Sequence, residues 1–384
     1  MLGLQFPKRG KVSVASALAA LLTAIVVPQT TPHTACTATA STVHCLATWR
    51  GGPSFGPPDG FGPADLRDAY KLPASGGVGQ TIGIVDAFDD PAAEADLAVY
   101  RQQYGLPACT TANGCFRKIN QDGTAEPLPN RNSEWAVEIS LDLDLASAAC
   151  PGCSLLLVEA DNTTPDELGP AVDQAVKSGA TVVSNSYGMD EFPGMEQFAA
   201  HYVHPGVPIL AASGDFGFQA ASFPAVLDDV IAVGGTALTR ATNARGWSET
   251  AWVDAGSGCS VWMAKPAWQH DTSCATRTTA DVSAVADPDT GLAVYDTENP
   301  PGSPPGWLVA GGTSAAAPFI AGIIGLAGNG IAFDDASPLY AHAGDLFDVV
   351  GGSNGSCAVD YLCTGVTGYD APTGVGSPDG ITAF

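Results

Sequence analysis

The chain has 384 residues, 45% of them hydrophobic, which is enough for a large core and for two or three domains at about 150 residues each. It carries 15 Lys and Arg against 40 Asp and Glu, a formal net charge of −25. Nucleic acids and anionic membranes are bound by basic surfaces, so this balance excludes both as expected partners. The acidity fits either high solubility or work in an acidic medium, where many carboxylates are neutral.

The N-terminal residues 1–35 are predicted to be a secretory signal peptide. Basic residues at Lys8, Arg9 and Lys11 precede the apolar stretch 12–27, which is too short for a membrane-spanning helix. Cleavage is expected between residues 35 and 40, so we expect a secreted, extracellular protein. Residues 36–76 are rich in Pro and Gly and are predicted to form a short pro-like or strap segment. The main domain is then 77–384.

Ten cysteines fall into neighbouring couples, and an even count in an exported protein favours disulfides. Connectivity does not follow from sequence, but we predict nearest-neighbour pairing. The predicted pairs are Cys36/Cys45, Cys109/Cys115, Cys150/Cys153, Cys259/Cys274 and Cys357/Cys363. The spacing of Cys150 and Cys153 also leaves a thiol oxidoreductase as an alternative function, although a structural bridge is the favoured interpretation.

From residue 77 onward, short apolar runs alternate with helical patterns. Several runs are apolar throughout, as strands buried on both faces are. The predicted strands are 81–87, 154–160, 181–186, 208–212, 230–233, 292–295 and 307–310, and the predicted helices are 61–70, 91–104, 165–179 and 319–327. The helix at 165–179 is expected to start with a capping box at Thr164. This alternation predicts an α/β fold with a mostly parallel central sheet, helices on both faces, and sites at the carboxyl ends of strands.

Residues 135–145 give a conflicting signal. Apolar and polar or small residues alternate there, which by periodicity indicates a strand. On a strand, Glu138 and Asp142 would lie about 13 Å apart, too far to cooperate. On a helix they would share one face, and Asp142 could orient Glu138.

A serine lies at the predicted junction of the last strand and a helix. Gly311 and Gly312 allow a sharp turn, and Ser314 would then lie at the helix N-terminus, where developing negative charge is favoured. Such a serine can be a nucleophile or simply an N-cap. The string Gly-Thr-Ser-Ala-x-x-Pro at residues 312–318 resembles the nucleophile motif shared by subtilisins and sedolisins, and this resemblance favours the nucleophile.

The sequence does not show which histidine, if any, would activate this serine. None of the six histidines lies in a His-Gly-Thr setting like that of the subtilisin base. In acid, histidine is mostly protonated, whereas a glutamate with a pKa near 4 still accepts a proton, which makes Glu138 the candidate base. Asp215 follows an apolar strand and is either a turn former or, when protonated, a donor to an oxyanion. Asp86 ends the first strand of the main domain and resembles the position of the subtilisin aspartate, but its histidine partner is missing, so a local turn carboxylate is the favoured interpretation.

Together these motifs resemble the sedolisin family, the serine-carboxyl peptidases with a subtilisin-like fold. The resemblance runs from about residue 77 to the C-terminus and includes the segments 138–154, 183–188, 213–217, 223–225, 233–236, 280–284 and 312–315. It implies Ser314 as nucleophile, Glu138 as general base and acid on a helix, Asp142 as its orienting partner and Asp215 as oxyanion stabiliser. It also implies endopeptidase activity at acidic pH. The implied wall for the peptide substrate consists of Ser184, Asn185, Ser186, Tyr187 and Gly188.

The resemblance further implies one structural Ca²⁺ site near the C-terminus. Its ligands would be two carboxylates and three backbone carbonyls, a set of hard oxygens suited to calcium. These residues are Asp348, Val349, Val366, Gly368 and Asp370. We expect a monomer that acts on polypeptides, without nucleic acid or membrane partners.

The chain departs from the family in one respect. Members usually carry a domain-sized propeptide, whereas here only residues 36–76 lie between the predicted signal and the main domain. A reduced pro-region and a permanent strap held by Cys36 and Cys45 both fit this segment. A non-catalytic secreted binding protein on the same fold is the alternative function.

Overall fold

The computed structural model describes residues 1–3, 32–37, 42–54, 58–298 and 305–384. Most of the predicted signal peptide lies outside these residues, so that assignment stays a prediction. The domain boundaries at residues 35 and 76 likewise stay predictions.

Short strands and helices alternate along the described chain. The strands are β1 (His33–Thr34), β2 (His44–Cys45), β3 (Thr48–Ser54), β4 (Thr81–Ala87), β5 (Phe116–Asn120), β6 (Ser154–Ala160), β7 (Val182–Asn185), β8 (Tyr187–Asp190), β9 (Ile209–Ala212), β10 (Ser222–Phe223), β11 (Val230–Arg240), β12 (Trp247–Ala251), β13 (Gly258–Ala264), β14 (Thr276–Thr279), β15 (Val282–Val285), β16 (Leu292–Asp296), β17 (Gly306–Gly311), β18 (Leu346–Phe347) and β19 (Ser377–Pro378). The α-helices are α1 (Pro63–Ala69), α2 (Ala93–Gln103), α3 (Ser133–Ala149), α4 (Pro165–Lys177), α5 (Thr313–Ala327) and α6 (Ser337–Ala341).

The core is one sheet with the strand order β12-β11-β9-β7-β4-β6-β5, and β15 also pairs with β11. All of these pairs are parallel except β11 with β12. Consecutive strand residues point to opposite faces. On β4, Ile82 lies against Gly325 of α5, while Gly83 faces Ala175 of α4. Helices therefore cover both faces, which confirms the predicted α/β class.

Helix α3 resolves the conflict over residues 135–145. Asn132 caps it by accepting hydrogen bonds from the backbone N–H groups of Glu134 (2.9 Å) and Trp135 (3.3 Å). All residues from Trp135 to Ala149 are buried. A helix buried on every side has no polar face, so periodicity carries no helical signal there. The strand indicated by the alternation is wrong.

Helix α4 begins close to where the sequence predicts, but not for the predicted reason. The side chain of Thr164 makes no capping hydrogen bond, so the capping box is wrong. Pro165 occupies the first helical position, where its fixed φ suits the helix and its missing N–H has no cost.

All ten cysteines form the five nearest-neighbour disulfides that the sequence predicts. The Cys150–Cys153 bridge is buried under Gly77, where a β-carbon would lie 2.1 Å from the sulfur of Cys150. A bridge without access to a reaction partner does not support the thiol oxidoreductase alternative. Among the described residues, no helix has the length and apolar character needed to cross a membrane.

A cluster of carboxyl groups lies between α2, α3 and β16. Asp144 accepts a hydrogen bond from the Tyr295 backbone (3.0 Å), and Asp96 accepts one from the Thr297 backbone (2.8 Å). Burial, followed by the charge of Asp96, raises the pKa of Asp296 to about 7. Burial also raises the pKa of Asp144 well above its usual range, and the nearby Arg101 offsets only part of this effect. These groups favour the neutral acid in the folded protein.

This cluster predicts that the fold is most stable in acid. The folded pKa values lie above the unfolded ones, so the stabilisation is complete below about pH 4 and is lost as the pH rises toward 7. We expect the melting temperature to fall by at least about 5 °C between pH 4 and pH 8, measured by circular dichroism. Asp296→Asn, which stays neutral, should raise stability at pH 8 and leave it nearly unchanged at pH 4. A melting temperature that rises with pH in the wild type would contradict this account.

Candidate active site

Several polar side chains meet at the carboxyl edge of the central sheet. Strands β4, β7 and β9 run parallel and end there. Asp86 lies at the end of β4, Ser186 directly follows β7, and Asp215 follows β9. Helix α5 begins at the same edge and carries Ser314 in its first turn, while α3 brings Glu138.

The turn before Ser314 requires glycine at two positions. A β-carbon at Gly311 would lie 2.2 Å from the carbonyl oxygen of Ala286, and Gly312 has a φ of +97°. Gly312 is the N-cap of α5, so Ser314 is not the cap. The buried Ser314 hydroxyl donates to the Ser186 carbonyl (3.1 Å), and the Ser186 hydroxyl donates to the Ser314 carbonyl (3.2 Å).

Three buried carboxyl groups lie beside this serine. Glu138 and Asp142 are one turn apart on α3, and Asp86 approaches them from β4. Burial, then the charge of Asp86, raises the pKa of Glu138 well above its usual range, while the hydrogen bond that its Oε2 accepts from the Ala47 N–H lowers it. Burial, then the charges of Asp86 and Glu138, does the same to the pKa of Asp142. Three carboxyl groups in a dry site cannot all be ionised, so they hold shared protons.

The structure corrects the interpretation of Asp86. Its carboxyl oxygens are fully buried and accept no hydrogen bond from any described residue, so it is not a local turn carboxylate. Burial raises its pKa well above the usual range. The sequence signal that could have placed Asp86 in this site is its position at the end of the first parallel strand, since parallel strands of one sheet end at the same edge.

Asp215 faces the turn that precedes Ser314. Its Oδ1 accepts hydrogen bonds from the N–H (2.8 Å) and the hydroxyl (2.7 Å) of Thr313. Burial raises its pKa to about 7, although the Thr313 hydrogen bonds lower it. Its Oδ2 is buried and has no partner among the described residues. Below about pH 7, Oδ2 can therefore carry a proton and donate a hydrogen bond.

The predicted substrate wall presents mainly backbone to the cleft. Ser184, Asn185 and Tyr187 are buried, and the Tyr187 hydroxyl donates to the side chain of Asn185 (2.8 Å). The side-chain amide of Asn185 donates in turn to the Leu210 carbonyl (2.8 Å). Hydrogen bonds to a bound peptide would therefore come from the main chain at Ser186 and Gly188.

A segment of the protein itself lies along this wall. Strand β2 pairs antiparallel with β8, with His44 opposite Gly188 and Cys45 opposite Tyr187. The next residues cross the site, where the Ala47 N–H donates to Oε2 of Glu138 (2.8 Å). We call residues 43–50 the cleft segment. The sequence offered no signal for this placement, because the contacts join residues more than 90 positions apart.

The residues predicted to bind calcium are also brought together. Both carboxylate oxygens of Asp348 accept from the Gly368 N–H, at 3.1 and 3.2 Å. Asp370 is buried and accepts from the Val366 N–H (3.0 Å). The carbonyl oxygen of Val349 lies 3.1 Å from where a β-carbon on Gly365 would be.

The chain is similar in sequence to characterised peptidases. Residues 130–339 match the subtilase family, Peptidase S8. The chain is 29% identical over 368 residues to kumamolisin from Bacillus sp. (strain MN-32), which covers 84% of this chain and 63% of kumamolisin. It is 32% identical over 395 residues to xanthomonalisin from Xanthomonas sp. (strain T-22), covering 83% of this chain and 45% of that protein. The chain thus spans less than two thirds of the length of these relatives.

Solved structures agree with this assignment. A complex of Pseudomonas sedolisin, described as a serine-carboxyl proteinase, superposes with a TM-score of 0.70 at 25% identity and covers 84% of this chain and 96% of sedolisin. Sphericase, at 18% identity and a TM-score of 0.53, shares the fold. On the sequence and structural matches together, this chain belongs to the subtilase family and, within it, to the sedolisins.

Proposed function

We propose that this protein is a secreted, acid-active serine endopeptidase that cleaves polypeptides through an acyl-enzyme on Ser314. The observation that carries the proposal is the burial of the Ser314 hydroxyl beside Glu138, Asp142 and Asp86. A serine is a weak nucleophile until a neighbouring base takes its proton. The relatives kumamolisin and sedolisin support a peptidase.

In the proposed reaction, Glu138 takes the proton of Ser314 as its oxygen attacks the peptide carbonyl. Glu138 then passes that proton to the leaving amine, and water releases the acyl group by the reverse sequence. A raised pKa makes Glu138 a stronger base than an exposed glutamate. Asp142 and Asp86 hold the remaining protons of the cluster, so that Glu138 can lose its own without leaving three adjacent charges.

Asp215 is proposed to stabilise the tetrahedral oxyanion. Its Oδ1 is held by Thr313, which leaves Oδ2 as the atom that can carry the acidic proton. A carboxylic acid donates a strong hydrogen bond to an oxyanion, whereas a carboxylate would repel it. The site therefore needs Glu138 ionised and Asp215 protonated, which limits activity on both the acid and the alkaline side.

Removing the nucleophile or the base should abolish activity. We expect kcat/KM to fall at least about 10⁴-fold in Ser314→Ala and about 10³-fold in Glu138→Gln, since glutamine cannot accept the serine proton. Hydrolysis of a denatured protein at pH 3 to 7, with products identified by mass spectrometry, measures the loss. Glu196→Gln, at an exposed position, should behave as wild type. Full activity of Glu138→Gln near pH 8 would exclude the proposed base.

The alkaline limb of the pH profile should belong to Asp215. Its acid form is present below about pH 7 and is lost above it. Asp215→Asn keeps a donor at every pH, so we expect activity within about tenfold of wild type at pH 5 and no decline near pH 7. Asp215→Ala, which has no donor, should lose about 10²–10³ in kcat.

The neighbouring variant Asp254→Asn is the control for the previous prediction. It keeps Asp215 and should retain the alkaline limb, moved slightly to lower pH because the charge of Asp254 contributes to the raised pKa of Asp215. If Asp215→Asn keeps the alkaline limb of the pH profile unchanged, that limb belongs to another group.

We also propose one structural Ca²⁺ bound by Asp348, Val349, Val366, Gly368 and Asp370. Burial raises the pKa of Asp370 to about 7, and the charge of Asp348 adds to this effect. A divalent cation would offset the repulsion between the two carboxylates. Among the described residues, no group of three or more Asp, Glu, His or Cys side chains is arranged to hold a metal ion by itself, so the other ligands would be backbone carbonyls, which calcium accepts.

Calcium removal should destabilise the wild-type protein. At a free concentration of about 100 times Kd, a bound ion contributes about 2.7 kcal/mol, so chelation should lower the melting temperature by about 5 °C or more. Asp370→Asn should have the lower melting temperature with or without calcium. The exposed Asp360→Asn should respond to calcium as wild type does. A wild type that contains no calcium by metal analysis and does not respond to chelation would contradict the site.

A further inference from the structure

Four aromatic side chains form a continuous row outside the proposed active site. Trp268 lies between β13 and β14, Tyr340 lies in α6, and Tyr369 and Tyr361 lie between β18 and β19. In the order Trp268, Tyr340, Tyr369 and Tyr361, successive ring centroids are 4.7, 5.9 and 6.2 Å apart. All four residues are partly exposed, so the row is accessible from solvent. We call these four residues the aromatic row.

Two adjoining cavities open along the aromatic row. Their volumes are about 410 and 440 Å³, within the usual range of ligand sites. Both are lined by Tyr340 and His270, while Trp268 lines one cavity and Tyr361 and Tyr369 line the other. One extended ligand can therefore contact the whole row.

The tyrosine hydroxyls of the row are directed into the protein. Each donates to a fixed acceptor: Tyr340 to Oδ1 of Asp281 (2.9 Å), Tyr361 to Oδ2 of Asp271 (2.8 Å) and Tyr369 to the Ala280 carbonyl (3.2 Å). These bonds fix the rings before any ligand arrives, so binding has to order few side chains. The row thus offers ring surfaces to a ligand and keeps its hydroxyl protons for the protein.

The charges beside the row are already paired. Asp281 forms a buried ion pair with Arg277 (2.6 Å), and Asp271 pairs with Lys265 (2.7 Å). The Arg277 guanidinium also lies over the Trp268 ring, 5.0 Å from its centroid. A cationic ligand would have to compete with these residues for the carboxylates and the ring. The aromatic row therefore favours an uncharged ligand.

The polar groups that remain available are isolated. The Trp268 indole N–H and the hydroxyls of Thr272 and Thr367 have no hydrogen-bond partner among the described residues. An indole N–H can only donate, so it suits a carbonyl oxygen. A sugar would also need acceptors for its own hydroxyl protons, and both neighbouring carboxylates, Asp271 and Asp281, are already engaged. A peptide with free carbonyls and few N–H groups fits better.

From these contacts we propose that the aromatic row is a binding site for uncharged, proline-rich polypeptide segments. Proline has no N–H, and a polyproline II helix makes no internal hydrogen bonds, so its carbonyls are free to accept. The helix rises about 3.1 Å per residue, which places alternate residues about 6 Å apart, close to the spacing of the rings. Grooves lined by aromatic residues bind such segments, and the preformed helix loses little entropy on binding.

The aromatic row and Ser314 lie at opposite ends of β15. Asp281, which Tyr340 contacts, directly precedes this strand, whereas the Gly312 N–H donates to the carbonyl of Ala286, just after it (2.6 Å). At about 3.3 Å per residue, the four residues of β15 separate the two sites by about 13 Å or more. A polypeptide held at the row would keep its other parts near the cleft at a high effective concentration. This effect on catalysis rests on the proposed function, whereas the binding does not.

The test measures binding to the full chain carrying Ser314→Ala, which leaves the probes uncut. The probe is acetylated and amidated decaproline, compared with a Gly-Ser peptide of equal length and with cellohexaose. In this background, Trp268→Leu and Tyr361→Leu each remove one ring but keep an apolar side chain. Trp262→Leu is the matched control, at a tryptophan that is 52% exposed and lines neither cavity. Calorimetry at pH 5 gives Kd, and circular dichroism checks that each variant is folded.

We expect decaproline to bind with a Kd below about 1 mM and the Gly-Ser peptide not to bind at that concentration. Trp268→Leu and Tyr361→Leu should each weaken binding about tenfold, as expected for the loss of one aromatic contact, and Trp262→Leu by less than about twofold. Trp268→Phe, which keeps a ring but lacks the indole N–H, should lose less than Trp268→Leu.

A second measurement uses the active enzyme. A cleavable peptide is joined to decaproline by a Gly-Ser linker of about 20 residues, which spans about 25 Å on average. We expect a lower KM than for the same peptide without decaproline, with kcat unchanged, and no such difference in Trp268→Leu.

The outcomes separate this proposal from the proposed function. Failure of the folded Ser314→Ala protein to bind decaproline, or equal binding by both ring variants, overturns the proposal and leaves the peptidase function untouched. Cellohexaose binding that depends on the rings, without decaproline binding, would make the row a sugar site and also overturn it. If decaproline binds as expected but the active enzyme cuts no peptide from pH 3 to 7, the binding site stands and the peptidase function is wrong.

Discussion

The burial of three carboxyl groups beside one serine hydroxyl is the constraint on which the site depends. Glu138, Asp142 and Asp86 are all fully buried, and in a low dielectric their mutual repulsion prevents full ionisation. The arrangement is compatible with a folded protein only if protons remain in the cluster. That condition is met most easily in acid, which is also the pH range of the proposed activity.

The same physics extends beyond the site. Asp90 and Asp296 have pKa values raised to about 7, and Glu159 to about 9, each mainly by burial. Burying such groups as anions has a high cost unless each is paired with a cation, as Glu159 is with Lys118 at 3.4 Å. Part of the acidic composition thus consists of buried carboxyl groups whose pKa values the fold raises.

The cleft segment lies along the surface that is proposed to bind substrate. The main chain at Ser186 and Gly188 offers hydrogen-bonding groups of the kind that an extended peptide backbone can pair with. A peptide attached to the enzyme is present at a high effective concentration, so even modest contacts keep it bound.

How much of the structure could be predicted from the sequence differs from element to element. The apolar runs that became β4, β6 and β9 were predictable because strands buried on both faces are apolar throughout. The glycines before Ser314 were predictable because only glycine allows that turn, and the spacing of the cysteine couples indicated the disulfides. The family resemblance added the expected partners of Ser314 as a hypothesis about residues far apart in the chain.

Only the tertiary structure decided the rest. Periodicity assigned residues 135–145 to a strand, because a helix buried on all sides carries no polar stripe, and packing overruled that signal. In the sequence, Asp86 has the pattern of a turn residue. In the structure, the parallel sheet places the end of its strand beside α3. The contact between Ala47 and Glu138 could not be predicted from local sequence either, because it depends on how distant elements pack and not on a pattern within either element.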